Sequence, residues 1–187
     1  MEGRLKLITA PTVEVLTAAE AKMYCHISHD VEDTLISGWI THARKEAENF
    51  LRQSMITQTW EYSFDEFPCL PLDIPRPPLN SVTSIKYYDC NNVEYTVAAA
   101  DYYVDADNTP GRISHAYNVT WPTTTLREIN AVRIKYAAGY GAAASAVPQF
   151  VKEAILVYCG FRNENRAAES ELPKQFYDIL RPDRVHI

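Results

Sequence analysis

Between Val31 and Leu51 apolar side chains recur at spacings of three and four: Val31, Leu35, Ile36, Trp39, Ile40, Ala43, Ala47, Phe50 and Leu51. That is the stripe of an amphipathic helix of about 20 residues, with Thr41, His42, Arg44, Lys45, Glu48 and Asn49 on its wet face. Asp30 is the expected N-cap, and Glu32 and Asp33 suit the positive end of the helix dipole. Just upstream, Thr17-Ala18-Ala19-Glu20 has the form of a capping box, in which Thr17 and Glu20 satisfy each other's amides. It predicts a short helix from Ala18 to about Cys25.

After Met55 the period changes from 3.6 to two. Trp60, Tyr62 and Phe64 alternate with Thr59, Glu61 and Ser63, and Val93–Val97 and Val132–Tyr136 repeat the alternation. Val82–Tyr88 and Tyr102–Asp105 read as further strands, with turns at Asp89-Cys90-Asn91-Asn92 and Pro110-Gly111. Five of the eleven prolines lie between Pro68 and Pro78. Proline cannot donate to a ladder, so this stretch is expected at an edge or in a connector.

Helical spacing returns at Pro148, a good first helical residue. From Phe150 to Phe161 the run is apolar nearly all round, with Lys152 and Glu153 its clear polar members, so it needs partners on more than one side. Phe150, Ile155, Leu156, Tyr158 and Phe161 are candidate core or subunit contacts, and Leu156→Asp is expected to abolish folding or assembly. Arg162–Arg166 closes the helix in a charged cluster. A last helix is expected from Pro173 through Phe176, Tyr177, Ile179 and Leu180, before a tail Arg181–Ile187. The order predicts an α+β fold: a small helical bundle from the N- and C-terminal helices with an inserted, mainly antiparallel β unit.

Composition bounds the function. The chain has 187 residues, a net charge of −6 and four cysteines at 25, 69, 90 and 159. Acidity argues against a protein devoted to gripping phosphates or anionic membranes. With no signal-peptide core and no membrane-length apolar run, a cytosolic-type protein is expected. Within residues 56–147 six basic residues face ten acidic ones, so the many aromatics suggest packing rather than base stacking.

No motif carries chemistry well. Cys25-His26-Ile27-Ser28-His29-Asp30 offers ligand types without a second pair at zinc spacing, and a polar helix-to-helix turn explains it better. Asp105–Gly111 is rich in Asp and Asn, but the calcium-loop positions that need glycine and a carboxylate hold Pro110 and Ala116. Ala138-Gly139-Tyr140-Gly141 lacks the third glycine of a dinucleotide fingerprint, and Asn118-Val119-Thr120 is a chance glycosylation pattern. No metal and no cofactor is expected. Were the chain an enzyme, His115, Asp101 and Asp105 of the β unit would be its pieces.

Several stretches together resemble a known family: Leu5–Pro11 (LKLITAP), Leu16–Lys22 (LTAAEAK), Ile56–Phe67 (ITQTWEYSFDEF), Ile74–Ser84 (IPRPPLNSVTS), Pro110–Ile113 (PGRI), Ala131–Gly141 (AVRIKYAAGYG) and Val147–Arg166. Their order and spacing are similar to the head–tail connector, or adaptor, proteins of long-tailed bacteriophages, prophages and gene transfer agents, in the version with a β insertion. Cys25, His26 and the tail after Arg181 have no counterpart in that pattern, so no role is carried onto them. The resemblance implies a single connector domain over 1–187, with N-terminal helices 17–55, the β insertion 56–137, and C-terminal helices and tail 148–187. It implies a structural virion protein rather than an enzyme, in a ring, usually a dodecamer, between the portal protein and the head-closure or tail-completion proteins. DNA would pass through the channel without specific binding; the location would be the head–tail junction of the virion, and the host cytoplasm during assembly, with no membrane partner. It also implies portal docking through Phe176, Tyr177, Ile179, Leu180 and Arg181, so that Phe176→Ala with Leu180→Ala should spare the fold. A DNA-packaging or DNA-binding protein is the alternative, and the acidic charge weighs against it.

Overall fold

The computed structural model describes residues 3–165 and 172–185; Arg166, and His186 and Ile187 of the tail, lie outside the described residues. The fold is α+β, in two compact units: a helical unit of Pro11–Ile56 with Tyr140–His186, and a β unit of Met1–Ala10 with Thr57–Gly139.

The helical unit holds α1 (Ala18–Cys25), α2 (Asp33–Leu51), α3 (Gln149–Glu164) and α4 (Lys174–Leu180). The capping box forms as expected: the Glu20 amide donates to Thr17 Oγ1 at 3.2 Å, and the Thr17 amide donates to Glu20 Oε2 at 2.7 Å. α1 ends where His26 turns left-handed at φ 56°. Asp30 does not cap α2. Glu32 holds that position without a side-chain capping bond, while Asp30 binds the Lys22 ammonium, which also reaches Asp33 at 2.8 Å. A cation on the neighbouring helix competes well with an amide for a carboxylate, because a charge-assisted bond is the stronger one.

Ile36, Trp39, Ile40, Ala43, Ala47 and Leu51 of the α2 stripe are buried, together with Val151, Ala154, Ile155, Tyr158 and Cys159 of α3 and Phe176 and Leu180 of α4. Val31 precedes the helix and is 90% exposed, and Leu35 in the first turn is also exposed. Two residues of the expected wet face are buried instead: Arg44 and Glu48, 5% and 6% exposed. Arg44 Nη1 donates to Glu48 at 2.9 Å and its Nε to Glu14 at 2.7 Å. Glu48 also accepts the Met55 amide at 3.1 Å. The second carboxylate comes from thirty residues upstream, so periodicity on α2 alone places this pair in water. Pro148 is the N-cap of α3 rather than its first residue.

The β unit contains β1 (Arg4–Thr9), β2 (Gln58–Phe64), β3 (Leu72–Asp73), β4 (Leu79–Tyr88), β5 (Glu94–Thr96), β6 (Tyr102–Asp105), β7 (Arg112–His115) and β8 (Val132–Ala138). The large sheet runs β1-β2-β8-β4-β5 and the small one β3-β7-β6, with every strand pair antiparallel. β1, β3 and β7 were not among the expected strands. The proline stretch supplies β3, a two-residue edge strand, as the missing amide donors require. β8 sits at the centre of the large sheet and alternates buried and half-buried along its length. Phe64, Ile85, Ile134 and Tyr136 of the large sheet share one core with Ile113 of the small sheet. The Tyr136 hydroxyl donates to the Pro75 carbonyl at 2.8 Å, so the one polar atom of that buried ring is satisfied. Gly111 lies hard against Leu79: a Cβ there would fall 2.5 Å from the leucine Cβ.

Candidate functional site

The candidate contact residues divide by burial. On α3, Ile155 and Tyr158 are buried, whereas Phe150, Leu156 and Phe161 are half-buried. The apolar circumference is therefore covered on one side by the other helices and part-exposed on the other. On α4, Phe176 and Leu180 are fully buried, Tyr177 and Ile179 half-buried, and Arg181 exposed. Phe176 meets Tyr158 edge-on, ring centroids 6.3 Å apart, and Tyr177 packs on Phe50 at 5.0 Å. The expectation that Phe176 and Leu180 can both be truncated without harm to the fold is corrected here. A seven-residue helix has one face to bury, and these two residues, four apart, are that face. The Arg181 guanidinium lies 3.4 Å from the Asp178 carboxylate at the surface.

Where α1 turns toward α2, apolar side chains remain in water: Met23 is 78% exposed, with Tyr24, Val31 and Leu35 also exposed. A groove beside them is lined by Tyr24, Cys25, His26, Val157, Gly160 and Phe161. Gly160 lets the Tyr24 ring lie close, since a Cβ there would sit 3.0 Å from it. Sequence reasoning missed this exposed group because it assigned Val31 and Leu35 to the core.

The residues suspected of chemistry do not converge. His115 and Asp101 line one small cavity of about 190 Å³, with Trp121 edge-on to the imidazole at 4.6 Å. Asp105 is elsewhere, bonded to Arg112 at 2.8 Å and to Asn108 at 3.1 Å. The Arg112 guanidinium holds its carboxyl below the usual range. Those bonds engage Asp105 and Asn108 of the Asp-rich turn. At Cys25–Asp30, the His26 backbone forms the left-handed end of α1 and the Asp30 carboxylate is bound to Lys22. Burial raises the Cys25 thiol and pushes that of Cys159 up to about 12, which disfavours the thiolates that bind metal or attack carbon. Among the described residues no group of three or more His, Cys, Asp or Glu is placed to hold a metal ion. Gly139 takes φ 141° where the chain leaves β8, and its amide donates to the Pro78 carbonyl. Asn118 sits at φ 60° after β7. Among the described residues no helix is long and apolar enough to cross a membrane.

No protein-family model matches the chain, and no curated protein matches it by sequence. Its fold has relatives among solved structures. A chain in the neck of an empty gene transfer agent (GTA) particle, computed with C6 symmetry, superposes with a TM-score of 0.81 at 22% identity, over 98% of this chain and 97% of that one. A chain in the virion of a native GTA particle gives 0.79 at 20% identity, covering 98% and 96%. A third, in the neck of a native GTA particle computed with C12 symmetry, gives 0.77 at 22% identity, covering 98% and 97%. At these identities the likeness establishes a common fold, and it runs nearly end to end.

Proposed function

We propose that the chain is a structural component of a phage-like particle, a connector that forms a ring at the neck and joins the portal to the head-closure or tail-completion proteins. The observation that carries this reading is the end-to-end match to chains of GTA necks: both units match, not the helical unit alone. The C6 and C12 symmetries of those necks support a cyclic assembly, with twelve copies the natural number. The place of action is then the virion, after assembly in the host cytoplasm, with DNA passing through the ring without specific binding. The role requires no chemistry from the chain itself, and we assign it no catalytic residue or cofactor.

Portal docking falls on the surface part of α4. Tyr177, Ile179 and Arg181 present the contact, while Phe176 and Leu180 hold the helix from beneath. The half-buried Phe150, Leu156 and Phe161 of α3 offer a further assembly surface. Native mass measured at rising concentration, alone and with the portal of the same particle, tests the reading. Twelve copies of a 21.2 kDa chain give a closed ring of about 250 kDa. A chain that stays monomeric throughout and does not bind the portal overturns it.

A further inference from the structure

The β unit segregates its charge. On the large sheet the apolar positions face the core, so the alternate positions form the outer face. Cross-strand register brings them into two adjacent rows: Arg4, Ser63, Arg133 and Lys86, then Lys6, Glu61, Lys135 and Ser84. Glu94 reaches the same face and binds Lys86 at 2.6 Å, and Glu61 lies 4.0 Å from Arg133. Five cations against two carboxylates leave three positive charges, in a chain of net −6. Arg4, Lys6 and Lys135 make no ion pair among the described residues.

The small sheet is the reverse. Leu72 and Ile113 belong to the core, so Asp73, Arg112, Asp105, Tyr103 and Ser114 point outward by the strand period. With Asp107 in the β6–β7 turn, three carboxylates stand against Arg112. Tyr103, 62% exposed, lies among them, a flat aromatic surface suited to a cation.

We infer that the outer face of the large sheet docks on the outer face of the small sheet in the next copy of this chain. The two patches carry opposite charge and lie on opposite sides of one unit. Their contact is therefore heterologous, the kind that propagates head to tail and closes into a ring when the rotation allows. Charge complementarity sets its register and disfavours like-to-like pairing, since basic faces repel each other as acidic ones do. The inference rests on the ring reading above and adds the faces through which the ring closes.

The test is charge exchange on the full-length chain, read by sedimentation and native mass at about 50 mM and about 500 mM salt. Arg4→Glu with Lys6→Glu makes both faces acidic, and Asp73→Lys with Asp107→Lys makes both basic. All four positions are exposed, and unchanged melting curves verify the fold. Each double variant is expected to lose self-association at least tenfold, and an equimolar mixture of the two should recover it. Wild-type association should weaken in high salt. A variant that assembles like the wild type overturns this inference and leaves the ring reading standing, as does a mixture that fails to recover. A wild-type chain that forms no ring, alone or on the portal, overturns both. Duplex DNA binding lost in Arg4→Glu/Lys6→Glu with assembly unchanged also overturns it, and reassigns the basic face to a polyanion.

Discussion

The two units handle charge differently. The helical unit takes Arg44 and Glu48 into its interior and satisfies them with Glu14 and the Met55 amide. The β unit fills its core with aromatic and aliphatic side chains and holds one buried carboxylate, Asp89, in a turn through the Asn91 and Val93 amides. It presents the charges of its paired strands on the outer faces of its two sheets. The contrast separates two uses of charge. A buried Arg44–Glu48 pair joined by the half-buried Glu14 fixes how distant stretches of one chain meet, here the approach to α1, α2 and the residues after α2. Charge on an outer face leaves the fold alone and is free to select a neighbour.

The helical unit should break most easily at its core. Phe176→Ala with Leu180→Ala removes two fully buried side chains, a loss of about 5–10 kcal/mol summed from typical truncations, which is most of a domain's stability. Helical circular dichroism should fall sharply at room temperature; a well-folded double variant would show that α4 is peripheral. Next in size, Arg44→Met removes the cation shared by Glu14 and Glu48 and should cost about 3–5 kcal/mol in urea unfolding. A change under 1 kcal/mol would mean the trio contributes little to the fold.

In the β unit, Tyr136→Phe removes a single buried hydrogen bond and should cost about 1 kcal/mol, with the ring packing kept. A cost as large as that of Arg44→Met would erase the contrast between the units. The smallest effect concerns pH. Bonds from Thr17 hold the Glu20 carboxyl below its ordinary value. Its contribution is therefore fully present above the unfolded pKa and is lost as pH falls through the lower folded value. Glu20→Gln keeps the capping geometry and removes the charge, so it should flatten the acid limb of α1 stability, measured by amide exchange; an unchanged limb would show that other carboxylates dominate.

The sequence by itself determined what depends on near neighbours. The capping box at Thr17 and Glu20 stands as expected, because both bonds close within one helical turn. The α2 stripe, the central strand around Val132–Tyr136 and the α+β order follow from periods of 3.6 and two, which a few residues suffice to display. Only the tertiary structure decided which of several satisfactory partners a group takes. Lys22 draws Asp30 away from the cap, Glu14 brings Arg44 and Glu48 inside, and Phe176 and Leu180 become a buried core pair. The two charged faces exist only once register sets Arg4 beside Ser63 and Arg133, residues 59 and 129 positions further along. Composition averages such charges into a single acidic total. Strand pairing sorts them in space, because alternate side chains must leave the core and antiparallel register fixes which of them stand together.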